Sequence, residues 1–120
     1  MEPSRILTNN MKAKSKIDAG ICGFHTTVRA DSEDDQYVTF ELETDCEKIR
    51  LLADCLKDKG PLDAYQEISP ASQSLLMESV RGTLHGCCAG CAVPVGLFKA
   101  MQVAAGLALP KDVQIVISQE

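Results

Sequence analysis

Tryptophan is absent from this 120-residue chain, and aromatic residues make up only 4% of it. Its core must therefore be aliphatic, and stacking platforms for bases or sugars are not expected. No apolar run reaches the roughly 18 residues of a membrane-spanning helix. Met1 to Asn10 lacks the apolar stretch of an export signal, which predicts a cytoplasmic protein. Basic clusters are also missing. Twelve Lys and Arg stand against 17 Asp and Glu, a net charge of −5. That balance predicts neither a nucleic-acid partner nor a membrane partner. No phosphate loop, dinucleotide fingerprint or nucleophile–base–acid motif occurs. No catalytic residue is assigned, and the chain reads as a binding protein more readily than as an enzyme.

What the chain does have is cysteine. Six are present: Cys22, Cys46, Cys55, Cys87, Cys88 and Cys91. In an exported mini-protein that count would imply three disulfides. A reducing compartment keeps thiols free and leaves metal binding, thiol chemistry or plain burial.

The remaining pattern is that of one α+β domain. Residues 1–11 are polar and aperiodic and read as a flexible tail, with a single domain over 12–120. Lys12–Ala30 reads as extended chain whose apolar parity switches at Cys22-Gly23. A strand cannot change face without an extra residue, so a bulge or tight turn is predicted there. Asp31–Gln36 reads as a solvated hairpin loop. Val38, Phe40 and Leu42 alternate with Thr39, Glu41 and Glu43, a half-buried strand. Thr44-Asp45-Cys46-Glu47 has capping-box spacing and opens a helix with core positions Ile49, Leu52, Ala53 and Leu56. Lys57–Gly60 ends it. A short helical turn over Leu62–Glu67 is followed by Ser69-Pro70 as a second helix start, carrying Leu75, Leu76, Met77, Val80 and Leu84. Pro94 starts a helix through Ala105 with Leu97, Met101 and Ala104 inside, and Gly106 stops it. Val113, Ile115 and Ile117 predict a final strand. Strands followed by helices give an α+β fold.

The most informative stretch is His85-Gly86-Cys87-Cys88-Ala89-Gly90-Cys91. Cys88 and Cys91 form Cys-x-x-Cys, and Cys87 and Cys91 are four apart. The stretch leads directly into the helix at Pro94, whose dipole is expected to lower the pKa of Cys91 most. Either Cys87 or Cys88 is expected to join Cys91, and the sequence favours neither. Cys22 lies at the strand kink and Cys46 in the first turn of a helix, where free N–H groups favour an anion. Ligands project naturally from such element ends. Zinc and iron–sulfur clusters both take three or four thiolates, with His25 or His85 as nitrogen alternatives. The candidate metal ligands are therefore Cys22, His25, Cys46, Cys87, Cys88 and Cys91. Cys55 lies beside the apolar stripe, roughly 13 Å along the helix from Cys46, and reads as a packed small hydrophobe.

This arrangement resembles the NifU-like (IscU-type) iron–sulfur cluster assembly scaffold. Cys22-Gly23 matches that family's first Cys-Gly pair, Cys46 its helix-opening cysteine, and Cys91-Ala92-Val93 with Lys99-Ala100 its third site. Lys59-Gly60-Pro61-Leu62-Asp63-Ala64 is similar to its lysine-glycine to leucine-aspartate segment. Phe24 stands where the family has an acidic residue, and Gly90 where it has a histidine. Cys87 and Cys88 are additional. The resemblance implies a small antiparallel sheet of about three strands with helices on one face, and the carriage of a nascent cluster. Cys91-Ala92-Val93-Pro94 through Lys99-Ala100, and Ala104–Val113, also resemble an uncharacterised family of small proteins from methanogens and anaerobic bacteria, a setting that suits cluster chemistry. The expected ligand is an iron–sulfur cluster or zinc. The expected partners are that metal or cluster and a sulfur donor or acceptor protein, and a homodimer is compatible. The alternatives are thiol-redox or sulfur transfer through Cys88 and Cys91, or an interaction module with incidental thiols.

Overall fold

The computed structural model describes residues 11–69 and 73–120. The tail expected over 1–11 lies outside the described residues except for Met11, which opens the first strand. Four antiparallel strands form one sheet in sequence order: β1 (Met11–Asp18), β2 (His25–Ser32), β3 (Tyr37–Thr44) and β4 (Leu62–Asp63). The helices are α1 (Glu47–Lys59), α2 (Ala64–Ile68), α3 (Leu75–Thr83) and α4 (Val93–Ala104), with a 3-10 turn over Gly86–Gly90. The α+β expectation holds. The sheet has one strand more than the three expected, because Leu62-Asp63 pairs with Val38 and Tyr37. Two residues leave no periodicity to read.

Register explains the layering. Ala13, Ser15 and Ile17 of β1 face Ala30, Val28 and Thr26 of β2. Val28 and Ala30 in turn face Leu42 and Phe40 of β3. All lie on one face, and α4 packs against β1 and β2 while α1 packs on β3. Lys12, Lys14, Lys16, Arg29, Glu41 and Glu43 alternate onto the other face and are exposed. The core is aliphatic, with Val28, Leu52, Leu62, Leu97 and Met101 fully buried. Each such side chain contributes roughly 1.5–3 kcal/mol on transfer from water.

The parity switch resolves as a tight turn. Gly23 N–H donates to the Gly20 carbonyl at 2.9 Å, and both glycines have positive φ. The turn lets β1 and β2 pair over their full length and leaves Cys22 exposed at its tip.

Three local expectations are corrected. Thr44 does not cap α1. Its Oγ1 accepts from Cys46 N–H at 3.1 Å and shares a 2.8 Å hydrogen bond with Thr26 across the sheet, because Thr44 still belongs to β3. Cys46 itself is the N-cap, with no side-chain cap bond. The helix expected to start at Ser69-Pro70 starts instead after Ser74, whose hydroxyl accepts from Met77 N–H at 3.0 Å. Pro70 lies outside the described residues. The strand expected over Val113–Ile117 does not form; residues 109–120 are exposed and irregular. Among the described residues no helix is long and apolar enough to cross a membrane.

Candidate functional site

The topology carries cysteines from separate parts of the chain to one end of the sheet. The β1–β2 turn holds Cys22. Thr44 pairs with Thr26, so β3 ends beside the start of β2 and delivers Cys46 to that same end. Asp45 Oδ1 accepts from His25 N–H at 3.3 Å and ties the turn to the β3 exit. The third contribution comes through α4. Gly96, in its first turn, lies against Ser15 and Ile17, next to the end of β1. The chain just before α4, with Cys88 and Cys91, therefore arrives near the turn.

Burial separates the thiols. Cys46, Cys88 and Cys91 are half-buried and pack against the core. Cys22 and Cys87 are exposed. The 3-10 turn sets Cys87 and Cys88 apart in exposure. It rotates successive residues by about 120°, so Cys88 turns inward on the side of Cys91 while Cys87 turns to solvent. Cys91 N–H donates to the Cys88 carbonyl at 3.1 Å and closes the turn. Cys55 is half-buried on α1 and is not among the residues packed on the core, which departs from its reading as a packed small hydrophobe.

Burial pushes the Cys91 thiol up from its ordinary pKa. The Val93 N–H, donating to Sγ at 3.5 Å, pulls it down. Negative charge on Cys46, Cys22 and Cys88 pushes it up again. This corrects the expectation that the α4 dipole would lower the Cys91 pKa most. One long N–H contact does not offset the loss of water around a half-buried sulfur.

Convergence stops short of a preformed cage. Among the described residues no three His, Cys, Asp or Glu side chains are grouped so as to hold one metal ion. His25 is exposed, and its Nε2 lies 3.7 Å from Asp18 Oδ2. Asp18 was not singled out from the sequence; it stands opposite His25 in the β1–β2 register, which only the pairing reveals. Asp45 and Thr44 also went unrecognised in their roles of fixing the β3 exit. Their Asx and Thr chemistry was visible, but their partners were not. His85 precedes the 3-10 turn and is exposed.

A family model matches residues 13–117, described as a family of unknown function, DUF6951. The match spans most of the chain, and the chain belongs to that family. No curated protein and no solved structure matches.

Proposed function

For this member of DUF6951 we propose cysteine-ligated binding of a metal ion or iron–sulfur cluster, with the metal or cluster as cargo on a scaffold or carrier. One observation supports this reading above the others. Thiols from three separate stretches, Cys22 in a hairpin turn, Cys46 at a helix cap, and Cys88 with Cys91 around a 3-10 turn, come to one end of the sheet. Soft metals and clusters are held by thiolates. Neighbouring thiolates repel one another, and a bound cation removes that repulsion. The absence of a ready-made cage among the described residues fits ligands that gather around a cargo and release it. Open space around Gly20 and Gly23 suits such closure by the Cys22 turn. The order of these cysteines is the one that resembles the NifU-like scaffold, and an anaerobic setting and a sulfur-donating or accepting partner belong to the same proposal.

The test is metal and sulfide analysis of anaerobically prepared protein, followed by titration with Zn²⁺ or with ferrous iron and sulfide. Stoichiometric uptake is expected, lost in Cys46→Ser and Cys91→Ser. Cys55→Ala should leave uptake unchanged. Protein that takes up neither zinc nor iron above a cysteine-free control protein overturns the proposal.

A second reading rests on the 3-10 turn. Its closing hydrogen bond brings Cys88 and Cys91 into a four-residue turn, whose ends lie within about 7 Å. That is close to the range a disulfide accepts. Metal-free protein with a readily reducible Cys88–Cys91 disulfide would favour thiol-redox or sulfur transfer. Failure of both measurements would leave an interaction module.

A further inference from the structure

The stretch expected to form a last strand, with Leu109 before it, is apolar and exposed. Leu109 is 89% exposed, Ile115 65%, Val116 82% and Ile117 88%. Scattered apolar residues on a surface need no explanation, but a run of this kind marks an interface. The family match extends to residue 117, so the run lies within the family's own unit. The described chain is elongated, with extents of 54 × 28 × 26 Å and a radius of gyration of 15.0 Å. A compact 120-residue domain would have about 13.6 Å.

A matching vacancy exists in the sheet. Among the described residues β1 is an edge strand, paired with β2 on one side only. Beside it lies a groove of about 920 Å³, walled by β1, by Val95 and Val103 of α4, and on the far side by Pro110–Ile115. Val95 is exposed there. Paired strands sit about 4.8 Å apart. Had the chain's own tail paired with β1, this groove would be filled. The tail instead lines the groove without pairing with β1.

We propose that the β1 edge receives Val113–Ile117 of a second copy of the chain as a fifth strand, each tail leaving the wall of its own groove, in a reciprocal exchange that makes a two-fold dimer. The period-2 patterns agree. Val113, Ile115 and Ile117 continue the apolar face set by Ala13, Ser15 and Ile17 and cover Val95. Asp112 and Gln114 fall on the face that carries Lys12, Lys14 and Lys16. The same lysines disfavour the competing dimer: two β1 edges side by side would bring like charges together, whereas the tail brings an acid. Exchange of an identical element closes the two-fold arrangement without creating a new edge for further copies.

The test is sedimentation analysis of the full chain in reductant, so that free thiols do not cross-link, combined with amide hydrogen exchange. The expected mass is twice the 13.0 kDa of one chain, with the amides of residues 113–117 slowed at least about tenfold relative to an unstructured peptide. Two variants remove the pairing in different ways. Ile115→Asp charges the apolar face, and Val116→Pro deletes a ladder donor. Each should give a single-chain mass, an unchanged far-ultraviolet spectrum and freely exchanging tail amides. A wild-type monomer at micromolar concentration, whether its tail is protected or not, overturns the proposal. So does a dimer that survives both substitutions. Loss of the fold in both variants would place the segment in the monomer's own core and equally overturn it.

Discussion

Gly96 of α4 lies so close to Ile17 of β1 that a methyl group on its Cα would stand 2.5 Å from Ile17 Cδ1 and 2.7 Å from Cγ1. The Gly96 carbonyl also accepts from Ser15 Oγ at 2.7 Å. The glycine is what allows α4 to rest directly on the edge strand, and that contact carries Cys91 to the end of the sheet where Cys22 lies.

Two effects oppose each other at Gly96. Replacing a helical glycine by alanine ordinarily stabilises, by up to roughly 0.5–1 kcal/mol. Overpacking against Ile17 costs about 1–3 kcal/mol. Gly96→Ala should therefore destabilise in urea unfolding. In an Ile17→Ala background, where both clashing atoms are gone, the same substitution should be neutral or stabilising. A stabilising Gly96→Ala in the native background would show that the close approach is absent.

Glu67 is only 3% exposed, and its carboxylate accepts from Ser74 Oγ and from the Leu75 and Leu76 N–H groups, the last two at 2.9 Å. It satisfies the start of α3, a helix end that would otherwise bury unpaired donors. Glu67→Ala should cost about 1–3 kcal/mol by leaving those donors unsatisfied. Ser74→Ala should cost about 1 kcal/mol, the usual loss of a cap. Thermal melts of the two single variants and the double variant should show non-additivity, since both groups serve one helix end.

The β2–β3 turn is held by Asp34, whose Oδ1 accepts from Tyr37 N–H at 2.9 Å and Gln36 N–H at 3.1 Å. These amide bonds, Tyr37 first, hold its carboxyl below the ordinary value of 3.8. A lowered folded-state pKa contributes stability above the unfolded value, and that stability is lost as pH falls through the folded one. Asp34→Asn keeps an acceptor but cannot titrate. Its stability should fall less steeply than that of the wild type below pH 3.8. Parallel acid limbs for the two proteins would remove Asp34 from the account of acid unfolding.

Cys91 should be among the slower thiols to alkylate at neutral pH. Burial raises its pKa, and the thiolate is the reacting species. Cys22 and Cys87 are exposed and should label first. Time-resolved mass mapping with iodoacetamide checks this order. Labelling of Cys91 ahead of both would mean that the α4 N-terminus outweighs desolvation after all.

The sequence by itself determined the elements that repeat. Alternation in Val38–Leu42, the helical spacing of Ile49, Leu52 and Leu56, and Pro94 before Leu97 and Met101 each report a local period, and local periods follow from backbone geometry alone. The switch of parity at Cys22-Gly23 likewise announced a turn, because two strands on opposite parities cannot be one. It also marked Cys22, Cys46 and Cys91 as residues at element ends. Tertiary structure decided what depends on partners distant in sequence. Thr44 had a helix-capping pattern, yet pairing with Thr26 kept it in the sheet. Leu62-Asp63 became a strand only because Val38 lay beside it. Cys88 rather than Cys87 turned inward because a 3-10 turn set its direction. The pKa of Cys91 went up rather than down because the surrounding core removes water, a property of packing that no spacing records. Val113–Ile117 has a strand's pattern and no strand partner among the described residues: alternation is local, but a ladder needs a second edge.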